Sequence, residues 1–141
     1  MLVRLLYASR ADSVTPELID AILARSRVTN PALGITGILC HGGDVFMQVL
    51  EGGREPVNEL YNRIVRDPRH QSVTLLHYAE VAERRFSGWT MGQVNLARIN
   101  PSIVLKYSER PVLDPFRVPG DVSMAMLEEL IATASIVGRA V

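Results

Sequence analysis

The chain has 141 residues, of which 48% are hydrophobic and 21% charged, and its formal net charge is zero. That length suits one domain with a sizeable core, and the balanced charge gives no sign of a nucleic-acid or anionic-membrane partner. No apolar run approaches a transmembrane span, and the apolar N-terminus, which contains Arg4, favours a strand over a signal peptide. The single cysteine, Cys40, excludes an intrachain disulfide and predicts a cytoplasmic location.

Local signals mark the first strand and the first helix. Residues 2–8 are an apolar strand whose alternate positions, Tyr7 among them, share one face. A helix begins at Thr15, a typical N-cap that is followed by proline. Because proline disfavours helical backbone in the residue before it, we expect this helix to end at Asn30-Pro31.

A hairpin and a second helix follow. Strands over 35–41 and 44–51 are joined across Gly42-Gly43, a typical hairpin turn, and the glycines after Glu51 are expected to break the second strand. Apolar residues then recur at the spacing of an amphipathic helix. They are Val57, Leu60, Tyr61, Ile64 and Val65.

Two further strands, over 73–81 and 86–94, complete the order strand, helix, strand, strand, helix, strand, strand. This order predicts an α+β, ferredoxin-like βαββαββ sheet with both helices on one face. We expect the first and third strands to lie side by side and parallel at its centre. Tyr7 and Gln48 would then be neighbours.

Beyond residue 94 the pattern becomes helical. Asn100 begins a short helix that ends at Lys106, and a last helix runs from Asp121 to Val137. The apolar side of the last helix consists of Met124, Leu127, Leu130, Ile131 and Ala134. Since a ferredoxin-like sheet leaves its second face open, we expect the extension 95–141 to pack on that face or to mediate self-association.

Gln48 is a polar amide inside the apolar strand segment 45–50. An amide buried without partners costs about 1–3 kcal/mol, so Gln48 must find hydrogen-bond partners on its own face of the sheet. Tyr7 is the first candidate.

Several other residues are ordinary when taken singly. Asn30 is a turn residue by its position before proline. Arg63 and Asp67 have the spacing of a surface ion pair on a helix. Trp89 and Met91 are two apart on a predicted strand and would share a face.

The combination of these residues, in this order along the chain, is far more specific than any one of them. The motif residues in chain order are Tyr7, Asn30, Gly34-Ile35-Thr36-Gly37, Phe46-Met47-Gln48-Val49-Leu50-Glu51-Gly52, Arg66-Asp67-Pro68-Arg69-His70 and Arg84-Arg85-Phe86-Ser87-Gly88-Trp89-Thr90-Met91. From about residue 2 to residue 94 the chain closely resembles the BLUF family, the sensors of blue light using FAD. The residues from Asn95 onward carry none of this resemblance.

The resemblance implies that residues 1–94 are a photosensory domain that binds FAD, or alternatively FMN or riboflavin, non-covalently between its two helices. Ile22 and Ile64 would clamp the flavin ring, and Asn30 would hydrogen-bond to its O4/N3 edge. The other contacts would come from Gln48 between Tyr7 and the N5/O4 edge, Arg63 and Asp67 on the pyrimidine side, His70 behind it and, more weakly, Ser26. One departure is Thr29, where the family commonly has Asn or His, although its hydroxyl can still donate.

The resemblance also implies a photochemical mechanism. Light makes the flavin a strong oxidant, Tyr7 reduces it transiently through Gln48, and recombination leaves the Gln48 amide rotated, tautomerised or both. Trp89 or Met91 would pass the change along the fifth strand into the C-terminal helices. The chain is too short for a separate output domain, so we expect a non-enzyme that signals through a homo-oligomer and a further protein partner.

Other functions are compatible with the same fold. A flavin-free ferredoxin-like module could bind a small ligand or a protein. An acylphosphatase-type enzyme would need a glycine loop that Ser9-Arg10 lacks, and a flavin oxidoreductase would need catalytic groups over the flavin that the chain does not offer. His41, His77 and Cys40 have no metal-ligand spacing, so no metal site is predicted.

Overall fold

The structure, a computed structural model, describes residues 1–133. In chain order its elements are β1 (Leu2–Arg10), α1 (Pro16–Leu33), β2 (Thr36–Gly42), β3 (Val45–Gly53), α2 (Arg54–Arg66), β4 (Gln71–Val81), β5 (Gly92–Asn95), a 3-10 turn (Leu96–Arg98), α3 (Pro101–Tyr107) and α4 (Gly120–Ala132). The predicted βαββαββ order and its helical extension are confirmed.

The five strands form one sheet in the order β4-β1-β3-β2-β5. The predicted neighbours β1 and β3 are adjacent, and Tyr7 lies directly opposite Gln48. The predicted parallel direction is wrong, because the two strands are antiparallel. The crossover through α1 makes β2 run with β1, and the following hairpin then reverses β3.

The first helix continues past the point where proline was expected to stop it. Thr15 caps its start as predicted, accepting a hydrogen bond from the Leu18 N–H at 3.1 Å. Its end is Gly34, which adopts a left-handed φ of 69° and donates its N–H to the carbonyls of Asn30 and Pro31. Asn30 therefore belongs to the last helical turn, since one missing proline N–H does not outweigh this C-cap.

The hairpin between β2 and β3 turns one residue later than predicted. Gly42 still pairs with Val45, and the two-residue turn lies at 43–44, where Gly43 has a φ of 57°. At the other end, β3 does not break at its glycines. It continues to Gly53, which pairs with Leu2 of β1.

Each face of the sheet carries its own apolar core. On the face covered by α1 and α2, which we call the cleft face, the core residues include Val3, Leu5, Tyr7, Ile19, Leu23, Leu39, Phe46, Leu50 and Val57. On the opposite face, which we call the tail face, the core includes Leu6, Ile38, Cys40, Met47, Val49, Val104, Met124, Met126, Leu127 and Leu130. The predicted apolar side of α4 thus packs on the sheet, while Ala134 and Val137 lie outside the described residues.

The last strand is much shorter than the predicted 86–94. Before β5 the chain turns, because the Trp89 N–H donates to the Phe86 carbonyl at 3.2 Å. Trp89 belongs to the tail-face core and Met91 to the cleft-face core. The prediction that these two side chains share a face is therefore wrong, since the two-residue alternation of a strand does not apply to a turn.

The N-terminus of α4 approaches β4 closely at one residue. A Cβ atom at Gly120 would lie 1.8 Å from the carbonyl oxygen of Leu76, so only glycine fits there. We expect Gly120→Ala to lower the free energy of unfolding by about 1–3 kcal/mol, the usual range for forced overpacking, in urea titrations.

Gly43→Asn is the matched control for that substitution. A Cβ at Gly43 meets no atom within 4 Å, and asparagine tolerates a positive φ. Equal stability of both variants would show that α4 does not depend on this close approach.

Candidate functional site

A cleft of about 220 Å³ opens between α1 and α2 above the sheet. Every residue predicted to bind the cofactor lines it: Ile22, Ser26, Asn30, Gln48, Arg63, Ile64, Asp67 and His70, together with Tyr7. A larger groove of about 850 Å³, near His41 and Gln93, contains none of them. The chemistry predicted from sequence therefore converges on the smaller cleft.

The floor of the cleft is a short chain of hydrogen bonds through Gln48. Tyr7 Oη donates to Gln48 Oε1, and Gln48 Nε2 donates to Met91 Sδ at 3.3 Å. Both ends of the buried amide are thereby occupied, which offsets the cost of placing it in an apolar strand. Of the two predicted relay residues, Met91 is the one in contact with Gln48.

Tyr7 is held as a neutral phenol. Its side chain is 1% exposed, and its ring lies 5.8 Å from that of Tyr61 and 6.1 Å from that of His70, centroid to centroid. Burial, followed by the nearby Tyr61 and Asp67, raises the pKa of Tyr7 well above its ordinary value of 10. The hydroxyl therefore remains a hydrogen-bond donor at any physiological pH.

Asn30 brings an unused donor to the cleft. It is 2% exposed in the last turn of α1, and its Nδ2 has no hydrogen-bond partner among the described residues. The neighbouring Thr29 hydroxyl donates to the carbonyl of Arg25 at 3.0 Å, so it serves its own helix. A buried donor in a cleft wall fits a ligand that presents an acceptor at that point.

The spacing of Arg63 and Asp67 suggested an ion pair, which the structure does not contain. Asp67 is bound instead by Arg69, with nitrogen–oxygen distances of 2.7–3.1 Å. These hydrogen bonds are the main reason that the pKa of Asp67 is lowered. The guanidinium of Arg63 has no hydrogen bond or ion pair within residues 1–133, which leaves it available to a ligand in the cleft.

His70 closes the cleft behind Tyr7. Its Nδ1 lies 2.7 Å from Ser9 Oγ, and its ring centroid is 5.3 Å from that of Phe46. Burial lowers the pKa of His70 below 6.5 despite the nearby Asp67 carboxylate. The imidazole is therefore neutral at pH 7 and packs as an aromatic wall.

Sequence reasoning missed some residues of the site. Arg69 forms the pair with Asp67 through a turn in which its N–H also donates to Asp67 Oδ1 at 2.9 Å. The Asp-Pro-Arg sequence is typical of such a turn and could have indicated it. Arg25 and Leu60 also line the cleft, but no local pattern distinguishes them from other exposed or half-buried helix residues.

A family model described as "Sensors of blue-light using FAD", BLUF, matches residues 2–92. The chain belongs to the BLUF family. The family match confirms, at the level of the family, the expectation that the chain binds FAD. The residues of the cleft also suit a flavin ring with carbonyl groups along its edge, because they offer an unpaired buried amide donor, a free guanidinium and apolar helix faces.

Known BLUF proteins are similar in sequence and in structure. The photoactivated adenylate cyclase subunit beta of Euglena gracilis is 40% identical over 92 residues, which are 64% of this chain and 11% of that protein. The photo-activated state of BlsA matches with a TM-score of 0.82 and 30% identity, over 93% of this chain and 95% of BlsA. The dark state of BlrB, a BLUF protein, matches with a TM-score of 0.78 and 34% identity, over 94% and 96% of the two chains.

The two kinds of relative differ in what they share with this chain. This chain spans about 11% of the cyclase subunit, so its similarity to that protein is confined to the sensor module. The solved structures match over nearly the whole chain, so their similarity includes the C-terminal helices. Within residues 1–133 no helix is long and apolar enough to cross a membrane, and no group of acidic, His and Cys side chains could hold a metal ion.

The lowered pKa of His70 makes stability depend on pH. The folded protein binds this proton less readily than the unfolded chain, so the stabilisation is complete above pH 6.5 and declines as the pH falls through 6.5 towards the lower folded value. We expect the free energy of unfolding, measured in urea from about pH 7.5 to about pH 5.5, to fall less steeply in His70→Gln than in the native chain. Burial also lowers the pKa of His41, but His41 is present in both proteins and contributes equally to each. If stability fell equally steeply with pH in both proteins, the assignment of this pH dependence to His70 would be contradicted.

Proposed function

We propose that this BLUF protein senses blue light by electron and proton transfer from Tyr7, which rearranges the hydrogen bonds of Gln48. The observation that carries the proposal is the hydrogen bond from Tyr7 Oη to Gln48 Oε1 on the floor of the cleft. It joins a redox-active phenol to an amide whose two ends can exchange roles by rotation.

Bound FAD, excited by blue light, supplies an oxidant strong enough to take an electron from a phenol. Tyr7 is that phenol, and its raised pKa means that it begins protonated. Loss of the electron makes the Oη proton acidic, and the existing hydrogen bond leads it to Gln48 Oε1. When the electron returns, the Gln48 side chain gives one proton back to Tyr7 Oη, so the lasting product is a rotated or tautomerised Gln48 rather than a new compound.

The change at Gln48 also alters its second contact. In the described state the Gln48 Nε2 group donates to Met91 Sδ, a weak acceptor. Rotation of the amide would turn its oxygen towards the sulfur and remove that hydrogen bond. Met91 and the segment that holds it are therefore the first part of the protein whose contacts change when Gln48 rotates.

The remaining cleft residues position the flavin in this proposal. Ile22 and Ile64, which line the cleft from its two helices, would clamp the ring, and the unpaired Asn30 amide would donate to its O4/N3 edge. Arg63 and Asp67 would serve the pyrimidine side, while Ser26 and His70 would complete the wall. In this proposal Met91 is the relay residue that contacts Gln48, and Trp89, in the tail-face core, is the second residue of the relay.

The Tyr7–Gln48 mechanism predicts the spectra of three variants. Tyr7→Phe and Gln48→Leu should bind FAD but lose the long-lived red shift in light-minus-dark absorption, because each removes one partner of the hydrogen bond. Tyr61→Phe is the matched control, since this phenol lies beside Tyr7 without bonding to Gln48. An intact red shift in either of the first two variants would refute the mechanism.

We further propose that residues 1–94 act as the sensor and that the extension 95–141 transmits its state, without enzymatic turnover, to another copy of the chain and to a cytoplasmic protein partner. The docking of α4 on the tail face supports this route, because the helix packs on the same sheet that carries Gln48. Light scattering coupled to size-exclusion chromatography should show a mass above that of the monomer that changes under blue light. Gln48→Leu should hold the dark value, and a monomer in both conditions would contradict the proposal.

A further inference from the structure

A buried ion pair lies on the tail face, outside the cleft. Arg4 of β1 and Glu51 of β3 are directly opposite each other, with 2.8 Å between Arg4 Nε and Glu51 Oε2. Glu51 is fully buried and Arg4 is 9% exposed. A buried pair of this kind seldom adds stability over apolar residues of similar volume, so its presence calls for another reason.

The Glu51 carboxylate has further partners that supply this reason. Its Oε2 accepts the backbone N–H of Arg85 at 3.0 Å, and its Oε1 accepts that of Phe86 at 2.6 Å. An apolar side chain at this position would leave both N–H groups without these acceptors. The carboxylate thus holds two successive residues at the start of segment 84–91.

The same segment is fixed at two later points. The Gly37 N–H donates to the Trp89 carbonyl at 3.0 Å. Arg27 of α1 donates to the Met91 carbonyl through Nε at 3.3 Å and Nη2 at 3.2 Å. Between the point held by Glu51 and the point held by Arg27, segment 84–91 crosses from one face of the sheet to the other. Phe86 lies in the tail-face core and Met91 in the cleft-face core.

We propose that Glu51 is a positioning residue of the light switch: its carboxylate holds segment 84–91 so that Met91 meets Gln48 and Trp89 stays in the tail-face core. The inference rests on the proposed function of Gln48 and goes beyond it. Glu51 touches neither the cleft nor Gln48, and it acts through the backbone of Arg85 and Phe86.

The held segment also contacts the helical extension. Phe86 is fully buried in the core that includes Leu127 and Leu130 of α4. Arg85 Nε lies 3.8 Å from Glu128 Oε1 on the same helix. Glu51 therefore holds a segment that contacts both Gln48 and α4, and releasing it should loosen both contacts together.

Trp89 is the only tryptophan of the chain, so its fluorescence reports on this segment alone. In the dark, FAD-loaded protein we expect Glu51→Gln to shift the Trp89 emission to longer wavelength and to raise the acrylamide quenching constant several-fold. The light-minus-dark red shift should become smaller, because Met91 no longer holds the Gln48 amide in one orientation. Glu80→Gln is the matched control, since it removes the exposed pair of Glu80 with Arg54 and should change none of these quantities.

A second variant covers the case in which Glu51→Gln does not fold because Arg4 is left as an unpaired buried charge. The double substitution Arg4→Met, Glu51→Gln removes both charges and still weakens the hold on the two N–H groups. In the unmodified protein, hydrogen exchange measured by NMR provides a third test, and the amides of Arg85 and Phe86 should exchange as slowly as those of the sheet.

The outcomes separate this inference from the proposed function. Unchanged Trp89 quenching in a folded variant, or fast exchange at Arg85 and Phe86, would overturn the role of Glu51 and leave the Tyr7–Gln48 mechanism intact. A persistent red shift in Tyr7→Phe would overturn the mechanism, while altered Trp89 quenching in Glu51→Gln would still show that the carboxylate positions the segment.

Discussion

The Gln48 amide is the constraint on which the rest of the site depends. A buried amide must be satisfied at both ends, and here a phenol satisfies the oxygen while a thioether satisfies the nitrogen. The two partners are unequal, because Tyr7 is a strong donor and the sulfur of Met91 is a weak acceptor. An amide with one firm and one weak partner can be reoriented at moderate cost, which suits a switch better than a rigid core contact.

The sheet connects this switch to the rest of the chain through its two faces. Neighbouring residues on β3 point to opposite sides, so Gln48 contacts the cleft while Met47 and Val49 contact the core beneath α4. Segment 84–91 is the second connection, because it passes from one core to the other and is anchored by the buried carboxylate of Glu51. A change at the cleft therefore has a short physical route to the helical extension.

Errors in the sequence-based predictions arose where one local rule was applied and another contact, near or distant in the sequence, overrides it. Pro31 was expected to end α1, yet the Gly34 C-cap beyond it satisfies the last carbonyls and extends the helix. Arg63 and Asp67 have ion-pair spacing, yet a tight turn brings Arg69 to the carboxylate first. The equal parity of Trp89 and Met91 implied a shared face only if that segment were a strand, and it is a turn held by other elements.

The sequence by itself determined the order of elements and the amphipathic helices, because periodicity and caps are local properties of the chain. The set of cleft residues came from its resemblance to the BLUF family. The sequence also showed that Gln48 needed partners and named Tyr7 as one of them. Only the tertiary structure decided the direction of β3 against β1, the choice of Met91 over Trp89, and the partners of Glu51. These depend on how the strands assemble into one sheet and on which groups far apart in the sequence come into contact, and no local pattern encodes such contacts.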